Sequence, residues 1–205
     1  NMVRDFSMLS SPPEQLKLMK RARNLIERIA EPGNLRAAFL RAARGKQAKP
    51  EVIRFRERLD DEIGTLRDGL LHGGLALGCY SYFRIHDPKP RLICAASFRE
   101  RVLHHAIMAE CEPVFERFLL PESHACRVGK GRLAVAALAT QNTRNFGWFL
   151  KMDIRRYFDS ISHERLLKLL QRKFKDERLL RLFEQLLETY QTTPGHGLPI
   201  GNLTS

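Results

Sequence analysis

Acidic residues are in short supply in this chain of 205 residues: 23 Asp and Glu face 35 Lys and Arg, a formal net charge of +12. An excess of this size favours a polyanion as partner, either nucleic acid or an acidic membrane surface. The positive charges are spread through the chain rather than gathered in a tail, so a folded basic surface is expected. Closely paired cysteines are missing as well. Cys79, Cys94, Cys111 and Cys126 form no CxxC pair, which argues against a zinc ribbon or finger and predicts buried, reduced thiols in an intracellular protein. No apolar run reaches the length of a signal-peptide core or a bilayer span. A cytoplasmic protein with no membrane partner is therefore expected. Internal repeats and low-complexity tracts are also lacking. The hydrophobic fraction of 43% supports a sizeable core.

What is present reads first as helix. Over 14–30, Leu16, Met19, Ala22, Ile26 and Ile29 fall on one helical face, with Pro32 and Gly33 expected to stop the helix. A shorter helix is predicted over 35–44. A long one is predicted over 51–71, where Val52, Phe55, Leu59, Ile63, Leu66 and Leu70 recur at three- and four-residue steps before Gly73 and Gly74. The pattern then changes: "CYSYFRIH" and "RLICAA", joined by "DPKP", read as a β-hairpin. Helical spacing returns over 98–120, with Pro113 starting or kinking the final turns. "SHACRVGKGRL" reads as a basic, glycine-bearing loop and "LAVAALATQN" as a buried helix. "WFLKMDI" is the strongest strand candidate. Helices over 163–174 and 176–190 follow, and then the loop "TTPGHGLPIGN". The expected fold class is α+β.

The chemistry gathers around Asp153. In a strand, Phe149, Lys151 and Asp153 share one face, while Trp148, Leu150, Met152 and Ile154 share an apolar one that would pack on helices. A carboxylate at a strand's C-terminal end is a natural ligand for a hard cation, which takes one or two oxygens from protein and the rest from water and phosphate. The competing reading is a turn or cap, and Asp159, close to Ser162, fits that role. His104 and His105 are adjacent on a helix and point about 100° apart, so they make a poor metal pair; one is expected to be buried and hydrogen-bonded, the other at the surface.

The residues around Asp153 carry a family resemblance. "KMDIRRYFDSISHERLLKLL" resembles the palm motif of reverse transcriptases. "PKPRLICAASFRERVLHHAIMAECEPVFERFLLPESHACRVGKG" is similar to the fingers of bacterial reverse transcriptases, and "GLPIGNLTS" resembles the palm motif that follows. Together the matches run over 79–205 in the family's order. An aliphatic residue before Gly-x-x-x-Ser, where group II intron and retroviral enzymes commonly carry Pro-Gln-Gly, resembles the reverse transcriptases of diversity-generating retroelements. A glutamine at position 200 could hydrogen-bond near the nascent base pair and Ile200 cannot, which implies error-prone copying.

The resemblance implies an incomplete right-hand polymerase: a helical N-terminal extension over 1–78, fingers over 79–147 and a partial palm over 148–205. It implies template-dependent nucleotidyl transfer from dNTPs with template RNA and a primer or cDNA strand. Magnesium, or manganese in its place, would be held by Asp153 and the Ile154 carbonyl. Lys89, Arg91, Tyr157, Ile200 and Gly201 would contact the nucleotide, with Tyr157 as steric gate against a ribose 2′-hydroxyl and Phe158 in the core. Arg127 and Lys130 would hold template backbone. A small helical accessory protein is a further implied partner. The family's Tyr-x-Asp-Asp hairpin is not in this sequence, whose "DD" is Asp60-Asp61 in a helical stretch, so the chain alone is expected to be inactive. Other readings are a non-catalytic basic RNA-binding module, or a reverse transcriptase of a retron, group II intron or antiviral lineage.

Overall fold

A computed structural model of the protein describes residues 20–86 and 90–204. Residues 14–19 of the predicted 14–30 helix lie outside the described residues. Its described part is helical over α1 alone (Leu25–Ile29). Asn24 adopts a left-handed conformation (φ 54°), and Ala22 forms a parallel bridge with Phe174 instead of a helical turn. Pro32 begins the next helix rather than ending one. It stands at the start of α2 (Pro32–Ala43), where its fixed φ and missing N–H cost nothing. The long predicted helix divides at Arg58 into α3 (Pro50–Glu57) and α4 (Leu59–His72). Asp60, Asp61 and Glu62 then occupy the first turn of α4, where the helix dipole favours negative charge. Gly73, at φ 90°, closes it.

The hairpin forms as expected. Strands β1 (Tyr80–His86) and β2 (Pro90–Ala96) pair antiparallel with Tyr82 opposite Cys94 and Ile85 opposite Arg91. Next come α5 (Phe98–Glu116), α6 (Arg132–Asn145), α7 (Tyr157–Ser160), α8 (His163–Gln171) and α9 (Glu177–Glu188). Ser97 caps α5, Ser162 caps α8 and Asp176 caps α9, each accepting from a backbone N–H three residues on. The described residues thus form a mixed fold of helices with one two-stranded sheet, compatible with α+β.

One hydrophobic core runs from α1 through α5 to α9. At one end Phe39 stacks on Phe55 at 5.5 Å, and Phe98 meets both rings edge-on at 6.1 and 5.3 Å. At the other, the fully buried Phe174 packs against Phe115 and Phe183. Burying each such ring contributes about 2–3 kcal/mol.

Two expectations fail here. The helix predicted as buried is α6, and none of its residues is buried. Its alanines favour helix but present little area to bury. Residues 148–154 form no strand: Trp148 is 95% exposed and Met152 81%. A strand needs a ladder partner, and Cys94 on β2 spends its N–H on the Ile200 carbonyl at 2.9 Å. The expectation of buried thiols holds for Cys94 and Cys111, whereas Cys79 and Cys126 are exposed; all four are free.

Candidate functional site

The loop "GHGLPIGN" is held between two elements far apart in sequence. On one side the segment entering α8 grips it: Gly197 N–H donates to the Ile161 carbonyl, Leu198 N–H to Phe158 and His163 N–H to Gly195, each at 2.9 Å. The buried His163 ring adds a fourth contact, its Nε2–H donating to the Gly197 carbonyl at 2.7 Å. On the other side lies β2, through the Cys94–Ile200 bond. Gly201, at φ 118°, approaches β2 so closely that a Cβ would stand 3.0 Å from Ile93 Cγ2 and 3.3 Å from the Cys94 carbonyl oxygen. The two segments that resemble palm motifs are therefore joined to each other and to the hairpin. His163 was not singled out from the sequence. Its place directly after the Ser162 cap was the available signal.

Arg156, left-handed at φ 50°, turns the chain into α7 and sets Tyr157 at its start. The Tyr157 ring is half exposed and meets Phe158 edge-on at 5.7 Å; Phe158 is partly buried rather than core. Both line a largely apolar cavity of about 440 Å³ between α5, α8, α9 and the 198–204 loop, with Pro199 and Asn202 beside Ile200 and Gly201. Tyr80 and His104 reach the same space. The Tyr80 hydroxyl lies 2.7 Å from Thr189 Oγ1, and burial pushes its pKa up to about 12. His104 is buried as expected of one of the pair, but neither ring nitrogen has a hydrogen-bond partner among the described residues. It faces the buried Glu100 at 3.6 Å. His105 is half-buried, its pKa lowered by burial first and then by Arg41 and other nearby charges.

The remaining candidates are more scattered. Asp153 and Ile154 are exposed in the extended segment, and among the described residues no group of three His, Cys, Asp or Glu side chains gathers to hold a metal. A two-magnesium centre does not fit the residues described. Asp159 is exposed and does not cap α8, a role taken by Ser162; its carbonyl accepts from Thr192 Oγ1. Arg91 is exposed on β2, and Lys89 lies outside the described residues. Arg127 is committed internally. Its guanidinium bonds both Glu116 oxygens at 2.8–3.0 Å and the carbonyls of Leu120 and Ser123 at 2.8 Å. That hydrogen bonding holds the Glu116 pKa below its usual value. Lys130 donates to the Pro121 carbonyl. Both cations organise the loop that bears them.

No family model matches the chain. Curated proteins do. It is 24% identical over 137 residues to nuclear intron maturase 1, mitochondrial, of Arabidopsis thaliana, covering 66% of this chain and 19% of that protein. It is 27% identical over 156 residues to the group II intron-encoded protein LtrA of Lactococcus lactis subsp. cremoris, covering 69% and 25%. The chain is thus similar to an intron maturase and to a group II intron-encoded protein. Protein YkfC of Escherichia coli is 24% identical over 163 residues, covering 72% of this chain and 42% of that protein. In each case the match spans less than half of the relative's length.

Among the described residues no helix is long and apolar enough to cross a membrane.

Proposed function

We propose that the chain is the fingers and first palm portion of an RNA-directed DNA polymerase, preceded by a helical extension. The observation that carries this reading is the clamp on the 195–201 loop. Two segments that resemble successive palm motifs are hydrogen-bonded together and docked on the hairpin that resembles the fingers. Similarity to an intron maturase and a group II intron-encoded protein supports the same reading and favours an intron lineage. The diversity-generating type rests on Ile200 alone. In the working polymerase Asp153 and the Ile154 carbonyl would contribute to a magnesium or manganese site together with donors that the described residues do not supply. Tyr157 would gate the sugar, and Arg91 with Lys89 would hold the triphosphate. Ile200 and Gly201 would border the nucleotide, with template RNA and a primer as partners.

The test is primer extension on RNA by the longest protein the locus encodes. Asp153→Asn is expected to abolish extension, and undiminished activity would sink the assignment. Ile200→Gln in the same assay is expected to narrow the misincorporation spectrum if the residue sets fidelity. A second reading, a basic RNA-binding module without polymerisation, draws on the net charge of +12. A Tyr-x-Asp-Asp in the same reading frame, with extension dependent on it, separates the two.

A further inference from the structure

The Ala22–Phe174 bridge brings together two basic tetrapeptides that lie about 150 residues apart, "KRAR" at 20–23 and "RKFK" at 172–175. Ala22 N–H donates to the Lys173 carbonyl at 2.9 Å and Lys175 N–H to the Ala22 carbonyl at 2.8 Å. Asp176 locks the junction: Oδ2 accepts from the N–H groups of Leu25 and Ile26 at 2.8 and 3.0 Å, while Oδ1 caps α9 through Leu179. Phe174 turns inward and is fully buried, with Ala22 packed against the same core. Alternation then sends Arg21, Arg23 and Lys175 outward.

Lys20, Arg21, Arg23, Arg172 and Lys175 are all exposed. The first three and Lys175 line a recess of about 490 Å³, and Arg21 and Arg172 line a second of about 500 Å³ with Lys168 and Gln171. Among the nearby acids Glu177 borders Arg23 and Lys175 in an adjoining recess, and three others are engaged. Asp176 is committed to backbone, Glu164 pairs with Lys168 and Glu27 with Arg178. Lys173 leaves the group, its ammonium lying 3.3 Å from the centre of the Phe118 ring. The negative end of the α8 dipole accounts for a cation such as Arg172, but not for three more delivered there from residues 20–23. Tyr157 and the clamped loop lie toward the opposite end of α8, about 13 Å of helix away.

We propose that this strip is a second RNA-contacting surface, separate from the polymerase motifs, that binds phosphate backbone without reading sequence. Arg and Lys from two short segments, held rigid by backbone pairing, suit a run of phosphates.

The experiment measures affinity of the 205-residue chain for a structured RNA between about 50 and 200 mM salt. Replacing Lys20, Arg23, Arg172 and Lys175 with Gln should lower the slope of log affinity against log salt by about 3, at 0.7–0.9 per lost phosphate contact. A set with Lys at Arg23 and Arg172 should retain the slope, and the Asp176 junction is untouched in both. Melting curves confirm folding; if the four-site variant fails to fold, the paired variants Lys20→Gln/Arg23→Gln and Arg172→Gln/Lys175→Gln should each lower the slope by about half as much. An unchanged slope in folded variants overturns the proposal, as does an equal fall on replacing Arg54, Arg56, Arg67 and Lys46. Capture by phosphatidylserine vesicles, lost in the four-site variant while RNA binding stays intact, would assign the strip to a membrane surface and also overturn it. Loss of primer extension in Asp153→Asn bears on the polymerase reading alone.

Discussion

The helices around Phe98 and the segment around Trp148 are both rich in large apolar side chains, yet they meet opposite fates. Phe39, Phe55, Phe98 and Phe174 are at most 5% exposed, whereas Trp148, Phe149, Leu150 and Met152 are at least 81% exposed. The difference lies in what each can pair with. Helices satisfy their own backbone and need only an apolar stripe opposite, which α2, α4, α5 and α9 supply to one another. An extended segment must find a neighbouring edge as well as an apolar face. Residues 148–154 have the face in their alternating sequence and no ladder partner among the described strands.

The comparison breaks most directly through paired truncations. Phe174→Ala should cost about 3–5 kcal/mol in urea unfolding, because a large cavity would open between Phe115 and Phe183. Phe149→Ala, in the exposed segment, should shift stability by no more than about 0.5 kcal/mol. Similar losses at the two sites would show that 148–154 is packed in solution. Asp176→Ala comes next, at about 2–3 kcal/mol, since three N–H groups lose one charged acceptor. Hydrogen exchange should then quicken at Leu25, Ile26 and Leu179 together, and protection retained at Leu25 and Ile26 would contradict the junction.

Gly201→Ala should cost about 1–2 kcal/mol, from the left-handed backbone and the crowding against β2. The readout is faster exchange of the Cys94 amide, and unaltered exchange there would count against docking of the loop. The smallest effect concerns Glu116. Its lowered pKa means that the Arg127 contact stabilises the fold above the ordinary value near 4.5 and fades as pH falls through the lower folded value. Amide shifts over 120–130 should titrate in that acid range in the wild type and stay flat in Glu116→Gln; a response in both would detach the loop from this ion pair.

Much of the helical fold was legible because its signals are local. Periodic apolar residues marked the helical stretches that hold α2 to α5, α8 and α9, though not the break at Arg58, and Gly73 marked a stop. The hairpin was legible from two short β-prone runs around a Pro-bearing turn. At the site, Tyr157 lines the cavity together with Leu198, Pro199 and Asn202, whereas Ile200 and Gly201 are not among its lining residues. The partners of Arg127 were not legible in the sequence, for a physical reason. A guanidinium in a glycine-bearing basic loop looks free to bind phosphate until Glu116, eleven residues earlier, is brought against it. The role of His163 was hidden because its partner, the Gly197 carbonyl, is 34 residues away.

Local pattern alone was enough to show that most of the chain is helical, which faces of those helices are apolar, that Gly73 ends one of them, and that the chain carries excess positive charge. Those properties follow from backbone sterics, periodicity and composition within a few residues. Only the tertiary structure decided that α1 begins at Leu25, that the basic tetrapeptides at 20–23 and 172–175 meet, and that 148–154 lies exposed. Each of these depends on backbone groups finding partners far along the chain, and a local pattern records what a segment can bury but not which surface arrives to cover it.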